Sequence, residues 1–212
     1  MYPDLNTCTV AIIGLGYVGL PLAIEFSRKQ KCYISGANIN RKVIGFDINY
    51  ERIKELKKGE DITNEINKEE LLNANFKLLT NKIEKLAEAD VFIITVPTPI
   101  NEFKKPDLEP LKKATSTVAK ALKIRSKNLN NCIPIVIYES TVYPGTTEEI
   151  CIPIIEKESE LIYNKPYLEN TFVCGYSPER INPGDKKHRL KDIIKITSGS
   201  NNEAAKWIDY FY

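Results

Sequence analysis

Three glycines stand at G-x-G-x-x-G spacing in Val10-Ala11-Ile12-Ile13-Gly14-Leu15-Gly16-Tyr17-Val18-Gly19, where an apolar run breaks and a helical pattern begins. That spacing makes a seat for a pyrophosphate. Gly14 permits a tight turn, Gly16 removes the Cβ that would hold phosphates off the backbone, and Gly19 lets the helix pack closely on the strand. The anion then meets unpaired N–H groups at the positive end of the helix dipole. Such turns also arise for packing alone, so a second feature is needed. Val43-Ile44-Gly45-Phe46-Asp47 supplies it, as an apolar run ending in the acid that a ribose 2′-hydroxyl requires. The candidate cofactor-binding set is Gly14, Leu15, Gly16, Tyr17, Val18, Gly19 and Asp47, with Arg52 placed to contact an adenosine ribose. An acid at that strand tip repels a 2′-phosphate, which favours NAD over NADP.

Asp47 lies later than the usual distance of about 20 residues after the glycines. The intervening stretch 30–40 reads as a surface insertion. The alternative makes Cys32-Tyr33-Ile34 the second strand, and it leaves Asp47 and Arg52 without their place beside the ribose.

Three further segments mix rigid prolines with hydroxyls and a carboxylate. Val96-Pro97-Thr98-Pro99 is held extended as it leaves a strand, which a stiff exit loop would also explain. Glu139-Ser140-Thr141-Val142-Tyr143-Pro144-Gly145-Thr146-Thr147-Glu148-Glu149 starts a helix and puts Thr141 at a strand tip, where ligands bind. Gly175-Tyr176-Ser177-Pro178-Glu179-Arg180-Ile181-Asn182-Pro183-Gly184-Asp185 sets one acid, Glu179, between prolines, as in a loop shaped around a ligand. Its plainer explanation is a helix cap by Ser177 with Glu179 favouring the dipole.

The elements that must position these residues alternate. Strands are expected at 8–13, 43–47, 76–79, 90–96, 133–138, 171–175 and 193–197. Helical patterns fall between them at 17–29, 49–58, 67–74, 81–88, 108–124, 145–158 and 202–211. Runs such as 90–96 are apolar on both faces, so the fold class is α/β, a Rossmann-like doubly wound, mainly parallel sheet with helices on both faces. Right-handed crossovers then bring the strand C-termini to one ligand-binding edge.

Composition narrows the classes. The 212 residues, 42% apolar, suffice for one large core, and a formal charge of +2 with mixed signs gives no footprint for nucleic acid. No apolar stretch approaches the roughly 18 residues of a membrane span, and no leader pattern opens the chain, so a cytoplasmic setting is expected. The five cysteines lack C-x-x-C spacing and His188 is the only histidine, so no metal site is expected. The cluster Lys186-Lys187-His188-Arg189 reads as a solvated face, with a phosphate contact left open.

Gly14-Leu15-Gly16-Tyr17-Val18-Gly19-Leu20-Pro21-Leu22-Ala23, Gly45-Phe46-Asp47, Val96-Pro97-Thr98-Pro99, Ser140-Thr141-Val142-Tyr143-Pro144-Gly145-Thr146-Thr147 and Ser177-Pro178-Glu179 occur in the order found in one family. The chain resembles the NAD-binding domain of the UDP-glucose/GDP-mannose dehydrogenase family, the nucleotide-sugar 6-dehydrogenases. The stretch 179–185 is similar to members acting on UDP-N-acetylhexosamines, for surface polysaccharide synthesis. The UDP-glucose branch tends to carry a second acid where this chain has Pro183.

The resemblance implies a two-step oxidation of a sugar C6 alcohol, with NAD as cofactor and a UDP-sugar as partner. The glycine loop and Asp47 would bind NAD, with Arg52 near the ribose and Thr98 near the cofactor. Thr141 would hold a catalytic water or the nicotinamide, and Glu179 would act in acid–base chemistry. Glu179, Arg180 and Asn182 would shape the sugar pocket. Residues 1–212 are then expected to form the NAD-binding domain alone. The family's nucleophilic cysteine, central helix and C-terminal sugar-binding domain would be absent, and the full-length form is expected to be a homo-oligomer. Apolar surface is expected near Trp207, Tyr210, Phe211 and Tyr212. UDP-glucose oxidation and a non-catalytic NAD-binding module remain the alternatives.

Overall fold

The computed structural model describes residues 1–32, 35–100, 102, 104–127, 132–180 and 194–212. Strand β1 (Thr9–Ile13) leads through the glycine loop into α1 (Gly19–Ser27). A small hairpin, β2 (Gln30–Lys31) and β3 (Asn38–Ile39), then precedes β4 (Lys42–Phe46). The expected insertion is therefore a local excursion, and the strand ending at Asp47 is the neighbour of β1. Helices α2 (Tyr50–Lys57) and α3 (Lys68–Asn73) follow, then β5 (Phe76–Thr80), a 3₁₀ turn at Ile83–Glu88 and β6 (Val91–Ile94). Asn49 and Asn67 start the two helices by accepting from backbone N–H groups of Glu51 and Glu70.

Helix α4 (Glu109–Lys127) leads to β7 (Ile135–Tyr138). The helix expected at 145–158 begins as a π-helical turn, Thr147–Cys151, and becomes α5 at Ile152–Ser159. Pro153 explains the wider turn, since it has no N–H to donate and its ring crowds the carbonyl four residues back. The chain continues through β8 (Ile162–Tyr163), β9 (Thr171–Tyr176), β10 (Ser198–Gly199) and α6 (Asn202–Phe211). Of the strand expected at 193–197, residue 193 lies outside the described residues, and the strand itself falls at 198–199. It pairs antiparallel with β9, where the register Ser198 to Tyr176 lets only a short edge form.

The main sheet runs β5-β4-β1-β6-β7-β9-β10, with β8 beside β9. Every pair in it except β9–β10 is parallel. Successive β1 residues point to opposite faces, so Val10 and Ile12 join one core while Ala11 and Ile13 join the other. The first core is covered by α1, α2 and α6, the second by α4 and α5. This is the doubly wound arrangement, and strand order reverses between β1 and β6.

The C-terminal aromatics depart from expectation. Trp207 is 8% and Phe211 1% exposed, and only Tyr210, at 56%, stands out. Phe211 stacks on Phe26 and Trp207, and the buried Arg41 guanidinium lies 4.2 Å from its ring while donating to its carbonyl. A cation against this aromatic stack holds the end of α6 against the sheet.

Candidate active-site cleft

A cleft of about 770 Å³ opens at the reversal between β1 and β6. Gly14 (φ +97°) sits where a Cβ would lie 3.1 Å from Val96 Cγ1. A Cβ on Gly19 would fall 1.8 Å from Gly14 O, so only glycine allows α1 to start so close to the strand. Gly16 is different. Its Cβ would meet nothing within 4 Å and would project where the loop lines the cleft. No side chain caps the start of α1. An open concavity above an uncapped helix start fits a dinucleotide pyrophosphate, which the backbone of Gly16–Gly19 would hold.

Asp47 anchors this loop. Its Oδ2 accepts from Leu15 N at 2.9 Å and its Oδ1 from Asn49 N at 2.9 Å, while the residue also lines the cleft. Thr95, missed in the sequence, shares its hydroxyl proton between Ile13 O (3.1 Å) and Gly14 O (2.8 Å) and so ties the β6 tip to the loop. Leu15 is a correction to the expected cofactor contacts. It is fully buried and lies outside the lining, so it serves as the loop's apolar foot and as the N–H that Asp47 holds.

Arg52 is a second correction. Instead of lining the cleft beside a ribose, its guanidinium is buried beneath the loop, with Nε donating to Leu15 O (2.9 Å) and Nη2 paired with Asp61 (2.7 Å). Burial pushes the Asp61 carboxyl up, but the Thr63 hydroxyl, Arg52 and the N–H groups of Ile66 and Thr63 outweigh it and hold the pKa below its ordinary 3.8. The Nη1 of Arg52 has no hydrogen-bond partner among the described residues.

Across the cleft, Thr98, Thr141 and Glu179 come together as lining residues, with Tyr17 and Val18 on the glycine side. Three strand exits are tied to one another. Thr98 Oγ1 donates to Thr141 O (2.5 Å), Ser140 Oγ to Val96 O (2.7 Å) and Ser177 N to Tyr138 O (3.0 Å). Thr141 is exposed to the cleft and Glu179 half-buried in its wall. Arg180 is not part of the lining, because it is exposed and donates to Ile194 O (3.3 Å). Asn182 and the Lys186–Arg189 cluster lie outside the described residues.

The sequence reading also missed Lys113 on α4 and Glu139 at the end of β7, both cleft-lining. No cysteine lines the cleft among the described residues. Burial pushes the Cys8 thiol up to about 12 and those of Cys132, Cys151 and Cys174 upward, the opposite of nucleophile activation. Among the described residues, no cluster suited to a metal ion is present, and no helix is long and apolar enough to cross a membrane.

A parallel sheet with a glycine-lined cleft at its strand reversal defines an α/β dinucleotide-binding domain. The profile of the UDP-glucose/GDP-mannose dehydrogenase family, NAD binding domain, matches residues 8–210, and the chain belongs to that family. UDP-N-acetyl-D-glucosamine 6-dehydrogenase of Salmonella typhi is 52% identical over 98% of this chain, which covers 43% of that relative. The Pseudomonas aeruginosa protein of the same name is 50% identical over 96% of the chain and 42% of its own length. The solved UDP-D-ManNAc dehydrogenase of Pyrococcus horikoshii superposes with TM-score 0.71 at 31% identity, covering 96% of this chain and 44% of that one. The chain therefore spans less than half the length of these relatives.

Proposed function

We propose that the protein carrying this chain oxidises the C6 hydroxyl of a UDP-N-acetylhexosamine to a carboxylate, using NAD, in making surface-polysaccharide precursors. The observation that carries this reading is the cleft itself, in which Thr141 and Glu179 face the glycine loop and Asp47. Its match to a family of nucleotide-sugar dehydrogenases supports the chemistry, and the relatives named above support the hexosamine.

NAD, when bound, supplies the hydride acceptor. The chain's own residues do the rest. The Gly16–Gly19 backbone and Asp47 hold and orient the cofactor, with Thr98 on the opposite wall. A primary alcohol giving up hydride must also lose a proton, and a Glu179 carboxylate oxygen takes it, directly or through a water on the Thr141 hydroxyl. The family likeness supports sugar contacts by Arg180 and Asn182, which follow Glu179 in the chain. The second oxidation calls for a nucleophile to hold the aldehyde, and the raised thiols of Cys8, Cys132, Cys151 and Cys174 do not provide one. The 212-residue chain by itself should bind NAD and form no uronic acid. The family likeness further supports a homo-oligomeric, cytoplasmic full-length protein.

The test incubates the full-length protein with UDP-N-acetylglucosamine, its galacto epimer and UDP-glucose, following NADH and the acid product. Uronic acid from a UDP-N-acetylhexosamine is expected. Turnover of UDP-glucose alone would move the reading to that branch, and NAD binding without turnover would leave a binding module.

A further inference from the structure

Glu139 is 1% exposed yet reaches the cleft, and two side chains from the far end of the chain close on its carboxylate. Oε1 pairs with the ammonium of Lys195, itself 11% exposed, and Oε2 accepts from the Tyr212 hydroxyl at 2.7 Å. Lys195 Nζ also lies 5.1 Å from the centre of the Tyr212 ring, so each member touches both others. Burial, and then the charges of Glu139 and Glu179, push the Tyr212 phenol well above its ordinary range. It therefore stays protonated and only donates.

Stability alone does not account for this arrangement. Desolvating an ion pair costs several kcal/mol per ion, and well-packed apolar replacements are often as stable or more so. Placement gives another reason. Glu139 N donates to Ile94 O (2.8 Å), Ser140 follows with its bond to Val96 O, and Thr141 stands next in the chain. Whatever fixes Glu139 fixes the start of the Thr141 loop. Both oxygens of the Glu139 carboxylate are thus already engaged, one by the Lys195 ammonium and the other by the Tyr212 hydroxyl. Proton transfer remains with Glu179, as in the reading above.

We propose that Glu139, Lys195 and Tyr212 form a positioning unit for the oxidation, fixing the β7 exit so that the Thr141 hydroxyl and Glu179 carboxylate meet the substrate hydroxyl in one geometry. Cofactor affinity stays with the glycine loop. This rests on the dehydrogenase reading above.

The experiment measures kcat, NAD affinity and the unfolding midpoint for variants of the full-length protein. Tyr212→Phe should lower kcat about tenfold and Lys195→Met about a hundredfold, with NAD affinity held within about twofold, since displacements of about 1 Å at a reacting centre have effects of this size. Lys195→Arg keeps the charge and should recover kcat to within about threefold of wild type. Lys195→Met strands a buried carboxylate and can cost the fold. The paired Glu139→Gln, Lys195→Met variant, which removes both charges, then carries the test beside Tyr212→Phe. Folded variants with wild-type kcat, kcat and NAD affinity falling together, or no recovery in Lys195→Arg would each overturn the positioning role. A wild-type protein inactive on every UDP-sugar would overturn the dehydrogenase reading and this proposal with it, whereas active wild type with unaffected variants overturns this proposal alone.

Discussion

The glycine wall of the cleft is held by backbone geometry and by Asp47, Thr95 and Arg52 bonding to the loop's own backbone, whereas the opposite wall is tied by Thr98, Glu139, Ser140, Lys195 and Tyr212, drawn from separate strand exits and the C-terminal end. The first wall is shaped to leave room. The second is shaped to hold groups still. Substitutions in the two walls should therefore fail differently, one through cofactor affinity and the other through turnover.

The sharpest way to break that division lies under the glycine wall. Arg52→Ala would take from Asp61, whose side chain is 1% exposed, its counter-charge, leaving only the Thr63 hydroxyl and the N–H groups of Thr63, Glu65 and Ile66. A loss of about 3–5 kcal/mol in denaturant unfolding is expected. Because the folded pKa of Asp61 is depressed, its contribution is present above its ordinary 3.8 and is lost as pH falls through the folded value. Stability of the variant should accordingly fall less steeply with acid than that of wild type. An equal loss at every pH would show that Arg52 acts through packing alone.

Next in size is Glu179→Gln in the full-length protein. Turnover should drop about a hundredfold with NAD binding unchanged, as befits loss of a proton acceptor from a wall that does not set affinity. Wild-type turnover would reduce Glu179 to a loop residue.

Gly16→Ala tests the other wall. Its Cβ meets no protein atom within 4 Å, so the unfolding midpoint should hold while NAD affinity falls about tenfold, roughly 1.4 kcal/mol. Gly19→Ala, whose Cβ would collide with Gly14 O, should destabilise the fold itself. The smallest effect belongs to Asp47→Asn. The preference for NAD over NADP should narrow a few-fold to tenfold, about 1 kcal/mol, in parallel titrations of the two cofactors. Equal affinities in the wild type would remove Asp47 from ribose selection.

The same contrast explains what the sequence disclosed. Glycine spacing, the acid at the end of β4 and the apolar runs of β1 and β6 are local signals, because each residue's role is decided by its immediate neighbours. Glu139 lies two residues before Thr141, yet no local pattern singles it out, since its partners stand 56 and 73 residues further along. Arg52 departs from its expected place for a related reason. Its nearness to Asp47 in sequence points to the ribose, while the charge that decides its orientation, Asp61, arrives only after α2. Leu15 shows the limit of a motif, for the spacing marks a loop without saying which side chains point away from the ligand.

The hairpin of β2 and β3 lies before the N-terminal end of β4, at the sheet edge opposite the cleft. The β1–β4 register and the bond from Leu15 N to Asp47 are made by residues on either side of it. Length in this connector is thus decoupled from the distance between phosphate loop and ribose acid. The hairpin offers a grafting point where a fluorophore or an affinity tag can be carried by the folded domain without entering the cofactor's space.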